Sequence, residues 1–180
     1  MMNMVCTIDV VAPCAGWARA CRDAKSLARR AAEVAFHRGS PECGLARYGE
    51  AELSITLTDA AEQRRLNRDY RGLDVPTNVL AFRNWEARTR VPPGAPLLLG
   101  DVVLGLEIVL REAAEQDKPV ADHLAHLVVH GVLHLLGYDH LTQIEADGME
   151  ALEISILAEL GMPDPYRDAA VSAGCVPVRT

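Results

Sequence analysis

Short runs rich in β-branched residues alternate along this chain with stretches whose apolar residues recur at helical spacing. The alternation predicts strands over residues 4–11, 53–58, 77–82 and 97–104. Start and stop signals, such as the reciprocal N-cap pairs of Asp59 with Glu62 and of Thr142 with Glu145, predict helices over residues 17–38, 59–70, 106–116, 119–137 and 142–160. Interleaved strands and helices favour an α/β (α+β) fold, with one mixed sheet of about four strands packed with about five helices. A chain of 180 residues without a linker predicts a single domain over residues 1–180.

The charge of the chain limits which ligands its surface can bind. Lys and Arg number 18 against 25 Asp and Glu, for a net charge of −7, which excludes a protein that coats nucleic acid through a broad basic surface. The charge is uneven, because residues 1–90 carry 14 basic and 11 acidic side chains, whereas residues 91–180 carry 4 and 14. Any RNA contact should therefore be local and made mostly by the first half. Its basic side chains include Arg64, Arg65, Arg68, Arg71, Arg83, Arg88 and Arg90. Aromatic residues make up 4% of the chain, too few for a platform on which single-stranded bases stack.

Cysteine usage and apolar segments predict the compartment. Five cysteines form an odd set without CxxC spacing, which favours reduced thiols over a disulfide framework. Asp9 interrupts the first apolar stretch and no basic segment precedes it, so we expect no secretory signal. The most apolar later stretch, residues 124–136, contains three histidines and is too short to span a membrane. These features predict a cytoplasmic protein with no membrane partner.

The segment of residues 123–140 carries the strongest chemical signal in the sequence. His130 and His134 lie one turn apart and about 40° apart around a helix, so that both imidazoles can reach a single ion. Gly137 stands where the helix should end in a left-handed cap, which would return His140 to the same ion. Three nitrogen ligands with an open fourth position favour one catalytic Zn²⁺ ion over a structural one. The sequence therefore predicts a metal site at the end of this helix.

Two further histidines lie on the same helical stripe. We expect His126 to be a buried histidine that hydrogen-bonds near the ligands, and His123 to be a solvated residue at the helix start. The spacing HxxxHxxGxxH is also that of the metzincin proteases, in which a glutamate after the first histidine is the general base. Gly131 occupies that position here, which argues against a peptidase.

The segment HGVLHLLGYDH, residues 130–140, resembles the YbeY family of bacterial rRNA-maturation endoribonucleases. Residues 66–82, LNRDYRGLDVPTNVLAF, are similar to that family's LNxxYRxxDxPTDVLSF signature. Residues 99–103, LGDVV, are similar to its LGDI strand, and residues 149–166 to its C-terminal pattern. The four motifs occur in the family's order and define a core over residues of about 50–166.

The resemblance implies a single-strand-directed, zinc-dependent endoribonuclease in 16S rRNA maturation and ribosome quality control. Its implied partners are the 16S rRNA precursor and proteins of the small ribosomal subunit, and not DNA. The family's metal ligands fall on His130, His134 and His140, and its functionally important arginine falls on Arg71. An arginine beside zinc can bind phosphate and the charge that develops on phosphorus. From its position alone, Arg71 would be a solvated cation that a helix C-terminus favours.

Two positions depart from the family pattern. Asn78 stands where Asp is usual, and Ala81 where Ser is common. Asn cannot act as a base, although it can bind substrate by hydrogen bonding. Asp139 and Asp101 are the remaining carboxylates expected near the site, and each also has a structural interpretation, as the cap of a turn and as the end of a strand.

Two other functions remain open on the sequence. The chain can be a non-catalytic ribosome-assembly factor whose metal is structural. It can also be a metzincin-like peptidase, although Gly131 argues against this function.

Overall fold

A mixed sheet of four strands forms the centre of the molecule in the computed structural model, which describes residues 4–167. The strands are β1 (Val5–Val11), β2 (Glu50–Thr58), β3 (Val79–Arg83) and β4 (Leu97–Gly105), arranged in the order β1–β2–β4–β3. β1, β2 and β4 are parallel, and β3 pairs antiparallel with β4 at the edge. The predicted α+β domain with one mixed sheet is confirmed.

Six α-helices pack around this sheet in the described part of the chain, and two short 3₁₀ helices, Ser40–Cys43 and Leu45–Tyr48, follow the second of them. The α-helices are α1 (Gly16–Ala20), α2 (Ala24–Gly39), α3 (Ala60–Arg71), α4 (Leu106–Glu115), α5 (Val120–Leu136) and α6 (Gln143–Glu159). One helix was predicted over residues 17–38, but Cys21 is extended, with φ −146° and ψ 103°, and separates α1 from α2. The buried Trp17 donates its indole N–H to the carbonyl oxygen of Thr58 at 2.9 Å. This contact with the end of β2 fixes α1, and helical spacing alone does not reveal it.

The predicted side-chain caps of α3 and α6 are present, with one exception. The predicted capping box of α6 is present, with the Thr142 side chain and the Glu145 side chain each binding the other's backbone. Asp59 caps α3 by accepting the N–H of Glu62 at 2.9 Å. The return bond from Glu62 was also predicted, but its carboxylate instead binds Arg65 at 2.6 Å.

The histidine-bearing helix α5 lies unusually close to the sheet at Gly131. A Cβ atom there would lie 2.6 Å from Cγ1 of Val102 and 3.4 Å from Cγ2 of Val79, so only glycine fits without a shift. Asp101 directly precedes Val102 on β4. Its carboxylate accepts a hydrogen bond from the Ser54 hydroxyl and lines a different cavity. Side chains alternate along a strand, so Asp101 faces away from α5.

No helix among residues 4–167 combines the length and apolar character needed to cross a membrane. Cys6, Cys14, Cys21 and Cys43 are free thiols, and Cys175 lies outside the described residues.

Candidate metal centre

Three histidines meet in one cluster at the end of α5. The nitrogen atoms of His130, His134 and His140 that could bind an ion all lie within 4.8 Å of one another. The predicted turn at Gly137 brings them together: this residue has φ 103°, and its N–H donates to the carbonyl oxygen of His134 at 3.1 Å. The chain then reverses so that the exposed His140 side chain faces the two helical histidines.

Hydrogen bonds fix the tautomers of the two helical histidines. The Nδ1 atom of His130 lies 2.7 Å from the Glu153 carboxylate, and Nδ1 of His134 lies 3.0 Å from the Tyr138 carbonyl oxygen. Both partners accept, so both Nδ1 atoms carry the proton and both Nε2 atoms expose a lone pair. These Nε2 atoms lie 3.0 Å apart. Two facing lone pairs at this distance repel each other, and a cation bound to both removes the repulsion, so the donor set fits a metal ion.

Glu153 on α6 is a buried carboxylate that supports this cluster. Besides His130, it accepts hydrogen bonds from the Tyr166 hydroxyl and from Nε2 of His126, which lies 3.1 Å away. Burial raises the pKa of Glu153, but the hydrogen bonds from His126, His130 and Tyr166 outweigh burial and hold the pKa at about 2. Metal-bound histidines usually donate their second nitrogen to such a carboxylate. His126 therefore lies beside the cluster without joining it.

Glu153 is not among the residues predicted from the sequence, although the sequence carries a signal for it. The buried positions of α6 are Met149, Glu153, Ile156 and Leu157, which recur at helical spacing. A carboxylate on an otherwise apolar stripe is costly to bury unless it is paired. Its presence there indicates a specific partner across the core.

The electrostatic environment favours the neutral form of His134. Burial, followed by the neighbouring His130 and His140, lowers the pKa of His134. Neutral imidazole is the form that binds metal.

The prediction for His123 is wrong, because this residue is buried and not solvated. It is 4% exposed, and its Nε2 lies 2.9 Å from Oε2 of Glu112. Helix α4 packs against α5 and brings Glu112 to it, a tertiary contact that the helix position alone does not show. The same Glu112 oxygen accepts a hydrogen bond from Nδ2 of Asn78 at 2.9 Å. The Asn78 Oδ1 atom accepts the backbone N–H of Val79 at 2.7 Å.

The histidine cluster opens into a cleft of about 620 Å³. Three polar side chains line this cleft: Arg71 at the end of α3, Asn78 just before the edge strand β3, and Arg83 at the end of β3. Asp139 also lines the cleft, and its Oδ1 accepts the backbone N–H of His140 at 2.8 Å, so it does cap the returning turn. Asp101 does not line this cleft, and its prediction as a carboxylate near the site is wrong because of its position on β4.

The basic helix α3 is largely neutralised by neighbouring acids. Arg64 binds Asp74 at 2.7 Å, Arg65 binds Glu62 at 2.6 Å, and Arg68 binds Asp69 at 3.1 Å. Within residues 4–167, Arg71 and Arg83 have no carboxylate within 4.0 Å. Arg71 and Arg83 are therefore free to bind a ligand of the cleft, whereas the other three arginines of α3 are paired.

Comparisons with known proteins agree with this geometry. The family model described as Endoribonuclease YbeY matches residues 21–161. The chain belongs to the YbeY family. The YbeY endoribonuclease of Paramagnetospirillum magneticum is 50% identical over 166 residues, which cover 92% of this chain and 98% of that protein. The Alkalilimnicola ehrlichii YbeY protein is 61% identical over 122 residues, 66% of this chain and 70% of that protein.

A solved structure supports the same fold. The solution structure of TM1509 from Thermotoga maritima is 21% identical, has a TM-score of 0.52, and covers 97% of this chain and 100% of that one. At this level of identity the likeness concerns the fold. The YbeY motifs at residues 66–82, 99–103 and 130–140 contribute Arg71 and Asn78 to the cleft and His130, His134 and His140 to the cluster, whereas Asp101 lies on the other face of the sheet.

Proposed function

We propose that the chain is a single-strand-directed, zinc-dependent endoribonuclease that acts in 16S rRNA maturation and ribosome quality control. The observation that carries the proposal is the pair of Nε2 lone pairs of His130 and His134, held 3.0 Å apart in a cleft that also contains Arg71. Membership of a family whose curated relatives are named endoribonucleases supports the same reaction.

In this proposal His130, His134 and His140 hold one Zn²⁺ ion. A zinc ion bound by three histidines acts as a Lewis acid and lowers the pKa of a coordinated water to about 7. The chain supplies the rest of the site. Glu153 and the Tyr138 carbonyl oxygen hold His130 and His134 in the tautomer that points Nε2 into the cleft.

Arg71 is the proposed catalytic and substrate-binding arginine. Its guanidinium can bind a phosphate through two parallel hydrogen bonds and stabilise charge as the phosphodiester bond breaks. Asn78 is proposed to bind substrate as well. One hydrogen of its amide group is donated to Glu112, and a side-chain amide has two, so the second remains for a ligand.

The proposed partners are the 16S rRNA precursor and proteins of the small ribosomal subunit, in the cytoplasm. Their support is the family resemblance and the two unpaired arginines at the cleft. Two unpaired arginines at one cleft, on a protein with net charge −7, favour local contact with RNA over contact with extended duplex DNA.

The peptidase alternative loses support from the close contact at Gly131. A glutamate in this position would need its Cβ where Val102 already packs, at 2.6 Å. The other alternative, an assembly factor with a structural metal, is distinguished from an endoribonuclease by the following experiment.

The test pairs a metal assay with cleavage of an unstructured RNA. The His134→Ala protein should lose both metal and cleavage. The Arg71→Ala protein should keep its metal and lose cleavage by about 100-fold or more, as expected when one charge-stabilising donor is removed. Arg64→Ala is the matched control, because Arg64 lies on the same helix but is paired with Asp74.

Two outcomes would decide against the proposal. Cleavage of RNA by metal-free His134→Ala protein at the wild-type rate would refute the metal-dependent mechanism. A metal-loaded wild type that binds ribosomal subunits but cuts no RNA, and that unfolds when the metal is removed, would instead support the assembly factor.

A further inference from the structure

A second cavity lies on the other side of His130 from the arginines. It has a volume of about 510 Å³ and shares Asn78, Val79 and His130 with the histidine cleft. Arg71 and Arg83 line the histidine cleft and do not line this second cavity. An RNA strand whose phosphate lies at the histidines and arginines would therefore place an adjacent nucleotide in this second cavity.

One wall of the cavity is a carboxylate held in a fixed orientation. Oε2 of Glu112 accepts hydrogen bonds from Nδ2 of Asn78 and from Nε2 of the buried His123, both at 2.9 Å. Nδ1 of His123 is buried with no partner among the described residues, so the ring has no competing hydrogen bond. Because both bonds use the same oxygen, Oε1 of Glu112 remains as an acceptor, on a side chain that is 22% exposed.

The neighbouring walls offer a donor and apolar surface. Gln116, one helical turn after Glu112, accepts a hydrogen bond from Nζ of Lys118 at 3.1 Å, which leaves its amide hydrogens as donors. Lys118 also donates to the Pro165 carbonyl oxygen at 2.5 Å. The ring of Tyr166 and the side chain of Leu127 supply apolar faces.

A phosphate does not fit this chemistry, because the Glu112 carboxylate would repel it and Lys118 is already used. A nucleobase does fit, since proteins bind unpaired RNA bases by hydrogen bonds to their edges and by contact with aromatic side chains. Oε1 of Glu112 is an acceptor and the Gln116 amide is a donor. Adenine and cytosine match this pair with their amino group and the adjacent ring nitrogen. Guanine matches it with its amino and imino groups and its carbonyl oxygen. Uracil can donate its single N–H to Oε1 of Glu112 and accept from Gln116, but its second carbonyl oxygen then lies beside the carboxylate and is repelled.

We propose that this cavity is a base pocket for a nucleotide next to the cleaved phosphate, and that Glu112 makes it prefer adenine, cytosine or guanine over uracil. The proposal rests on the proposed ribonuclease function and adds a base preference to it.

Glu112→Gln tests the pocket by reversing its polarity. In the variant the amide oxygen must face the donors of Asn78 and His123, so that the NH₂ group faces the cavity and an acceptor becomes a donor. Metal-loaded wild type should cut a pool of unstructured random RNA with uracil disfavoured about fivefold or more at one position flanking the cut, the discrimination of one good base contact. The variant should lose this preference or favour uracil. Glu115→Gln, an exposed change on the same helix, should keep it.

Binding of mononucleotides to the same proteins tests the pocket independently of cleavage. AMP, CMP and GMP should shift the side-chain amide signal of Gln116 in NMR spectra at lower concentrations than UMP, and Glu112→Gln should remove the difference. Equal binding of all four nucleotides, or cleavage with the same base preference in wild type and Glu112→Gln, would overturn the base pocket while leaving the nuclease intact. Selective nucleotide binding by a wild type that cuts no RNA would support the pocket and refute the proposed function.

Discussion

Replacing Glu153 by Gln should weaken metal binding although Glu153 touches no ion. The carboxylate accepts three hydrogen bonds with two oxygens, from His130, His126 and Tyr166. A glutamine has one accepting oxygen and carries no charge. If this oxygen stays with His130, the amide hydrogens face His126 and Tyr166, and if it turns to them, His130 loses its acceptor.

The expected loss follows from the role of the carboxylate in holding His130. Changes to such supporting partners typically cost about 10-fold to 100-fold in metal affinity, or about 1.4–2.8 kcal/mol. The metal-free protein should also be destabilised, because a hydrogen bond to a charged group contributes about 1.5–3 kcal/mol. Glu153→Gln should lose less stability than Glu153→Ala, which removes the shared acceptor of all three donors.

Metal affinity is measured by competition with a chelator of known affinity, and the His130 tautomer by NMR of its ring nitrogens. Glu150→Gln, an exposed change on the same helix, is the control and should bind metal like the wild type. Wild-type zinc affinity of Glu153→Gln, with the His130 proton still on Nδ1, would refute this role of the carboxylate.

Three further predictions concern metal, pH and packing. Zinc at about 100 times its dissociation constant should stabilise the protein by about 2.7 kcal/mol, or about 5–10 °C in melting temperature for 180 residues, and an unchanged melting temperature would exclude tight binding. Burial lowers the pKa of His123, with Glu112 partly offsetting this, so the unfolded chain takes up a proton more readily. The contribution of neutral His123 to the free energy of unfolding is fully present above pH ~6.5, the pKa of histidine in the unfolded chain. It is lost as the pH falls from there toward the lowered pKa of the folded state. Between pH 7.5 and 5.5, the free energy of unfolding measured in urea should fall more for the wild type than for His123→Gln. His37→Gln, a change at an exposed histidine, is the control and should behave like the wild type. Equal losses in the wild type and His123→Gln would contradict the lowered pKa of His123. Gly131→Ala should destabilise by up to about 2 kcal/mol, since overpacking against Val102 costs about 1–3 kcal/mol and helix propensity returns about 1 kcal/mol, while Gly148→Ala, which meets nothing within 4 Å, should not destabilise. A Gly131→Ala protein as stable as the wild type would show that α5 can shift at no cost.

Features that depend on neighbouring residues were predictable from the sequence. The Asp59 and Thr142 caps, the stop at Gly137 and the return of His140 all act within a few residues, and all are present. Arg71 is different, because only the family resemblance singled it out, and the fold then placed it at the same cleft.

Features that depend on contacts between distant elements were missed. The break after α1 follows from the Trp17 contact with Thr58, which is 41 residues away. The burial of His123 depends on Glu112 of the preceding helix, and the support of His130 on Glu153, which is 23 residues further along. A periodic pattern shows that a position is buried, but it does not show which polar residue of another element contacts it.

The ion pairs of α3 also determine how this protein would search for its RNA. Affinity for single strands falls with salt in proportion to about 0.7 times the number of phosphates neutralised. If only Arg71 and Arg83 make such contacts, a rise from 50 to 200 mM salt should weaken binding only about sevenfold. Such a protein cannot slide along RNA on electrostatic attraction. It would release most of the strands that it meets, and its residence on the right one would depend on short-range contacts made after the encounter.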